Sequence, residues 1–423
     1  MKLQPTLERS QSVQRSQSAA QWCCVQAGHR EQYGIPRALQ RIGTLDKLIT
    51  DLWAPPGSWV ARFAVGPLGR RLRDRFHGEL PLQKVNAFPL QSLVWETAAS
   101  LRGLKGGERS LARNAWWAAI ATRALRQQTK GSTRRVFGYC YEARALFSAA
   151  RELGLMPVLG QMDPGPVEDQ KVTEVVRRWS QYRTPFQPGA PDYYKSWREE
   201  CRLAGYIVVN SEWSRVALEQ AGIEARKIVV CPLVYTPPPE ASGWKKTYPD
   251  AFSKDRPLRV LFLGQCILRK GIAETIEAAQ RLADRPVEFT FVGNTNISGL
   301  EGHFGRARIR YFPRVSRAEC HAYYREADAF LFPTHSDGFG LTQLEAQAWK
   351  LPLIASRFCA DVVEPGRTGW VLPEVSSCSI VRVIDDILRA PASLASCSAA
   401  IVPWPFGLEQ LGERLNTLSD SPL

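Results

Sequence analysis

Ala329-Phe330-Leu331-Phe332-Pro333-Thr334-His335-Ser336-Asp337-Gly338-Phe339-Gly340-Leu341-Thr342-Gln343-Leu344-Glu345-Ala346 runs from a short apolar strand, through a loop with two glycines, into a helix. Two glycines bracketing an aromatic residue at that junction let backbone approach a ligand closely. The N–H groups of Gly338, Phe339, Gly340 and Leu341 then make an anion site at the helix N-terminus. Asp337 stands before the helix and Glu345 about one turn inside it. Carboxylates so placed, next to an anion site, suit hydroxyl groups at opposite ends of one ligand. The plainer alternative is that Asp337 caps the helix and Glu345 lies on the surface.

The same strand-to-helix alternation extends on both sides of this stretch. Upstream, the strand Arg259–Leu263 meets the turn Gly264-Gln265-Cys266-Ile267-Leu268-Arg269-Lys270-Gly271 and then a helix over Ile272–Ala283. Arg269 and Lys270 sit there where cations would neutralise a diphosphate, although a tight turn with exposed basic residues explains the pattern as well. Strands follow at Val287–Val292, Ile309–Phe312 and Pro352–Ala355, with helices over Ser316–Glu326 and Leu341–Trp349. The first half repeats the scheme, with strands at Trp22–Gln26, Arg135–Tyr139, Met156–Leu159 and Tyr206–Asn210. Ser211 is a good N-cap for a helix over Glu212–Ala221, and Gly222 suits the position that ends it.

Strands alternating with helices predict an α/β protein with parallel sheets covered on both faces. The expected organisation is a disordered tail over residues 1–20, a Rossmann-like domain over 21–235, a proline-rich linker over 236–257 and a second Rossmann-like domain over 258–400. A helix within 401–423 is expected to pack back toward the first domain. Two doubly wound domains in tandem leave a cleft between the carboxyl ends of their sheets, where ligands bind in such folds.

Composition narrows the class. The chain has 423 residues, 44% hydrophobic and 23% charged, as globular proteins do, and no apolar run reaches the roughly 18–20 residues that span a bilayer. Its ten cysteines include no C-x-x-C pair and read as reduced thiols of a cytoplasmic protein. Residues 1–150 hold 23 Lys/Arg against 9 Asp/Glu, so the whole net charge of +14 lies there. The arginines at 70, 71, 73 and 75, with Trp53, Trp59, Phe63, Phe76, Trp116 and Trp117 nearby, suggest contact with an anionic membrane surface. A solvated basic face over buried tryptophans is the competing explanation. No nucleic-acid-binding module is present, so nucleic acid is not expected as a partner.

From about Trp22 to its end the chain resembles the family-four retaining glycosyltransferases of the GT-B fold. The resemblance is carried by Ala327–Pro333, the acidic–x7–Glu spacing from Asp337 to Glu345, Pro352–Ser356, and Glu364-Pro365-Gly366-Arg367-Thr368-Gly369-Trp370. It is looser in Gly28-His29-Arg30-Glu31-Gln32-Tyr33 and Ile207–Glu212. It implies sugar transfer from a nucleotide-diphosphate sugar to a glycan, lipid-linked or small-molecule acceptor, with retention of configuration. It implies no cofactor and no metal, which agrees with the absence of an Asp-x-Asp pair. By residue, it implies that Glu345 holds the ribose hydroxyls, Asp337 contacts the transferred sugar and Lys270 binds the diphosphate. Amides of Phe339, Gly340 and Leu341, beside Gly338, complete that cradle, and backbone at Arg314 and Val315 meets the nucleobase. Gly264 and Arg269 belong to the same donor site. In the first domain His29 is the candidate on the catalytic side, touching donor sugar or acceptor, unless it is simply a solvated loop histidine.

Departures from the family pattern are Asp337 where glutamate is usual, Gln265 where arginine is usual, Lys350 in place of a helix-ending glycine, and Arg357-Phe358-Cys359-Ala360 in place of a Gly-Gly loop. They keep two alternatives open: a degenerate binding or scaffolding protein, and a sugar-nucleotide epimerase of the same fold. Retained Glu345 and Lys270 favour the transferase.

Overall fold

The computed structural model describes residues 20–58, 62, 75–128, 131–305, 308–313 and 315–419. Seven strands build the first sheet: β1 (Gln21–Gln26), β2 (Leu45–Thr50), β3 (Val85–Ala87), β4 (Thr133–Tyr139), β5 (Met156–Gly160), β6 (Tyr206–Val209) and β7 (Ile228–Val230). Their order is β3-β2-β1-β4-β5-β6-β7, parallel throughout. Six more build the second: β8 (Leu258–Leu263), β9 (Val287–Val292), β10 (Ile309–Phe312), β11 (Ala329–Phe332), β12 (Leu353–Ser356) and β13 (Gly369–Leu372). These run β10-β9-β8-β11-β12-β13, also parallel. The central strands are buried on both faces, which is why Ala329–Phe332 and Leu353–Ser356 read as continuous apolar runs instead of alternating ones.

The helices that matter for the site are α1 (Gly34–Arg41), α2 (Pro89–Leu101), α3 (Gly106–Gln128), α4 (Pro166–Arg178), α5 (Glu212–Gln220), α6 (Ile272–Arg281), α7 (Thr342–Ala348) and α8 (Leu408–Asn416). Ser211 caps α5 by accepting from Ser214 N at 3.1 Å, and Gly222 beyond it takes φ +85°. Helix α8 crosses back: Leu408, Leu411, Leu415 and Leu418 join Trp22, Leu39, Phe137 and Val158 in one core. Gly412 makes the crossing close, since a Cβ there would lie 2.8 Å from the Ala38 carbonyl of α1.

The segment over 43–128 holds β2, β3, α2 and α3, which the alternation pattern did not predict. Its aromatics also sit otherwise than a membrane-facing reading requires. Trp53 is buried against Tyr33 and Phe76, and Trp117 is 1% exposed in the core. Arg75 donates to Asp51 at 2.9 Å and so is not a free basic residue. The tail over 1–19, together with Arg70, Arg71, Arg73, Trp59 and Phe63, lies outside the described residues. No helix among the described residues is long and apolar enough to cross a membrane.

Candidate active site

Two cavities open where the carboxyl ends of the sheets face each other. One, of about 530 Å³, is lined by Gly264, Gln265, Arg269, Lys270, Asp337, Phe339, Gly340, Leu341 and Thr342 on one side and Arg30, Glu31, Met162 and Asn210 on the other. The second, of about 760 Å³, holds Glu345, Val315, Tyr235 and Cys320 opposite His29, Glu31, Gln32 and Arg37. Glu31, Leu233 and Leu341 border both, so the two form one cleft.

Lys270 ends the turn after β8, and the geometry that places it is strict. Gly271 has φ +74°, and a Cβ there would sit 2.1 Å from the Pro333 carbonyl, so only glycine lets this turn lie against the loop after β11. Lys270 pairs with Asp337 and lies over the Phe332 ring at 4.9 Å. Burial, helped by neighbouring Arg269, pulls its ammonium down to about 7, with Glu168 opposing. Glu345 Oε2 accepts from the buried Tyr324 hydroxyl at 2.8 Å, which orients its carboxylate toward the larger cavity. The two carboxylates therefore stand in different cavities, as a ligand spanning the cleft would require.

Other predicted residues are engaged in ways the sequence did not reveal. Arg269 lines the smaller cavity, yet its Nη1 donates to Ser336 O at 2.6 Å and lies 3.5 Å from Glu168 across the domain interface. Its charge is thus shared with protein partners. Gly338 lies outside the cavity, pressed against the Met162 carbonyl, where a Cβ would approach to 2.4 Å. The Phe339 amide already donates to Asp337 Oδ1 at 3.2 Å. Gly340, Leu341 and Thr342 line the cavity at the start of α7, where amides have no partner within the helix. Gly264, with φ +147°, lines the cavity as expected. Val315 lines the larger cavity, and Arg314 lies outside the described residues. His29 is exposed and borders Glu345's cavity, not that of Lys270 and Asp337.

Sequence reasoning missed Asp51 and Glu31. Asp51 is buried and accepts from Gly28 N at 2.8 Å, Arg75 at 2.9 Å and Arg113 at 2.7 Å, which ties the loop after β1 in place. A lone aspartate after an unrecognised strand carried no signal. Glu31, Gln32 and Tyr33 have φ of +51°, +52° and +59° in succession. Left-handed backbone costs non-glycine residues about 1–2 kcal/mol each. A row of three positive-φ residues is invisible to periodicity. Behind the cavity, Tyr141 (φ +73°) donates to half-buried Asp163 at 2.7 Å, whose carboxyl is pushed up by desolvation.

The interface joining the domains combines apolar packing, with Val175 and Tyr182 buried in the second domain's core, and polar contacts. Trp179 Nε1 donates to Glu274 Oε1 at 2.7 Å, and the same carboxylate oxygen lies 2.8 Å from His335 Nε2. His335 therefore faces α6 and not Asp337. Trp213 Nε1 donates to Ser336 Oγ at 3.1 Å and packs edge-on against Phe358, with Lys171 over the same ring. The Arg357–Ala360 replacement thus makes an interdomain contact where glycines were expected.

Residues 245–401 match the model of the family described as glycosyl transferases group 1. This stretch is similar to the group 1 glycosyltransferase domains. It contains Lys270, Asp337 and Glu345. Over 183 residues the chain is 27% identical to a D-inositol 3-phosphate glycosyltransferase of Corynebacterium urealyticum, covering 38% of this chain and 43% of that protein. It spans about half or less of the curated relatives it matches first. Two solved structures share the whole architecture. Anabaena Alr3699/HepE in complex with UDP aligns with TM-score 0.58 at 16% identity, over 94% of this chain and 98% of that one. Sucrose-phosphate synthase from Thermosynechococcus elongatus aligns with TM-score 0.63 at 16% identity, over 94% and 97%. The matched stretch and the sheet in front of it together form the GT-B fold.

Proposed function

We propose that the protein transfers a sugar from a nucleoside-diphosphate sugar, of the uridine class, to a hydroxyl-bearing acceptor, with retention and without a metal ion. The observation that carries this reading is a single cleft with Lys270 and Asp337 in one cavity and Glu345 in the next. In this reading Glu345 takes the ribose hydroxyls, and the nucleobase lies toward Val315 and Tyr235. Lys270 turns from Asp337 to the diphosphate, joined by the amides at the start of α7, and the freed Asp337 grips the donor sugar. Stabilisation of the diphosphate leaving group by these fixed charges and dipoles is then the main catalytic term. The HepE structure with UDP supports a uridine nucleotide. Retained Lys270 and Glu345 argue against a binding-only role. The test is a nucleotide-sugar panel scored by thermal stabilisation, followed by the anomeric coupling in the product of the donor that stabilises most. Absence of stabilisation by any of them sinks the reading.

We also propose peripheral attachment to an anionic membrane on the cytoplasmic side, with a glycan or lipid-linked acceptor. The favouring observation is α2, which buries only Ser92 and Ala99 and turns Leu90 (62% exposed), Val94 (69%) and Leu101 (85%) outward. Exposed Arg102 and Lys105 follow at its end.

A further inference from the structure

The acceptor side of the cleft is built by the loop after β1, where Arg30 and Glu31 face Lys270 and Asp337 across the smaller cavity. Three observations meet at Glu31. It borders both cavities, at the junction where a donor held by Glu345 and Lys270 would bring its diphosphate and sugar. Its backbone is left-handed, as are the next two residues, a conformation that glycine would adopt without strain. The loop is nevertheless fixed: Gln32 N donates to His29 O at 2.9 Å, Tyr33 N to Arg30 O at 2.8 Å, and the Tyr33 ring is buried edge-on against Trp53. A side chain kept at a strained position in a cleft has a reason to be there.

The third observation is electrostatic. Arg75 and Arg113 pair with Asp51 and Arg37 with Glu79 at 2.8 Å, whereas exposed Arg30, touching the Met162 sulfur and the Tyr139 ring, lines the cavity beside Glu31. On this wall the Arg30 guanidinium and the Glu31 carboxylate oppose each other, so the wall carries no net charge. A wall of that kind suits the hydroxyls of an uncharged group better than a phosphate, which the Glu31 carboxylate disfavours.

We infer that Glu31 is the residue that hydrogen-bonds the acceptor hydroxyl, and that the acceptor unit it grips is an uncharged sugar or polyol. This rests on the donor reading above. Glu31 is exposed to the cleft with Arg30 beside it, so its carboxylate is available to accept from a hydroxyl. The aligned relative of Corynebacterium urealyticum is called a D-inositol 3-phosphate glycosyltransferase. On this inference the present chain differs from it in acceptor charge.

The test uses the full chain saturated with UDP, titrated with a panel of neutral octyl glycosides and the matching sugar 6-phosphates. Wild type should bind at least one neutral glycoside more tightly than every phosphate. Glu31→Gln and Glu31→Gly should each weaken that glycoside tenfold or more and leave UDP stabilisation unchanged. Glu31→Gly also relieves the left-handed strain, so its Tm should not fall, which separates loss of a contact from loss of the fold. Tighter binding of the phosphates, or glycoside binding within twofold of wild type in both variants, overturns the inference. Wild type that UDP does not stabilise overturns the donor reading, and this inference with it.

Discussion

Burial and neighbouring Arg269 lower the Lys270 ammonium even though it pairs with the Asp337 carboxylate. Its ordinary value of 10.5 falls to about 7, so above neutrality the empty site holds mostly uncharged amine. A bound diphosphate favours the charged form, so UDP should bind most tightly below about pH 7. Its affinity should weaken as pH rises, by at most about tenfold per unit. Calorimetry at pH 8 in buffers of different ionisation enthalpy should register proton uptake on UDP binding. A heat independent of buffer would contradict it. The stability term has its own sign. Between about 7 and 10.5 the unfolded chain binds more protons at this position than the folded one, so Lys270's contribution to stability rises with pH across that window.

Glu345 gives a second prediction. Its loss should lower kcat/KM by roughly 10- to 150-fold, equivalent to a charge-assisted hydrogen bond of about 1.5–3 kcal/mol. Glu345→Ala also strands the Tyr324 hydroxyl, which is buried, so its Tm should drop by a few degrees without unfolding. Glu345→Gln keeps a partner for that hydroxyl and should isolate the catalytic effect. Near-normal turnover in both variants would remove Glu345 from the donor site.

Among the elements, α2 is inverted, with small residues inward and large apolar ones outward. Cosedimentation with anionic vesicles should therefore fall when Leu90, Val94 and Leu101 become Ser, and high salt should weaken what Arg102 and Lys105 contribute. Equal binding by wild type and the triple variant would exclude α2 as the contact. The basic excess of the first 150 residues was legible, but not which of its residues are inward: Trp53 and Trp117 are buried and Arg75 is paired. Elements with buried apolar runs, such as Ala329–Phe332, could be read because both faces of a parallel strand demand apolar residues. Leu45–Thr50 could not, because Asp46 and Lys47 interrupt its run and their partial exposure is set by its neighbours. At the site, Lys270, Asp337 and Glu345 were visible through their spacing from glycines and strands. Asp51 and Glu31 were not, because their roles come from tertiary partners and backbone dihedrals. Lys350 shows the limit of such rules. It stands where glycine is expected, adopts φ +58° regardless, and its Nζ donates to Ile401 O at 2.6 Å, an anchor glycine cannot supply.

At the scale of the molecule, the cleft closes on polar contacts, with Trp179, Glu274 and His335 on one side and Trp213 and Ser336 on the other. UDP at 100 times its Kd should stabilise the chain by about 2.7 kcal/mol. With Lys270 and the amides of α7 proposed to neutralise the diphosphate, transfer should persist in excess EDTA. Complete loss that magnesium or manganese restores would show that the phosphate site has been misassigned.

The return of α8 to the first sheet has a consequence for how the protein is made. Leu408, Leu411 and Leu415 seal a groove beside Trp22 and Leu39. They are synthesised only after the whole second sheet has emerged. Nascent domains ordinarily fold in the order they appear. Here the earlier domain must wait for the later one, its apolar groove open to solvent and to chaperones in the interval. Expression of the first half alone, cut within the 236–257 stretch, leaves that groove bare, whereas supplying residues 402–419 in trans should rescue the first domain's solubility.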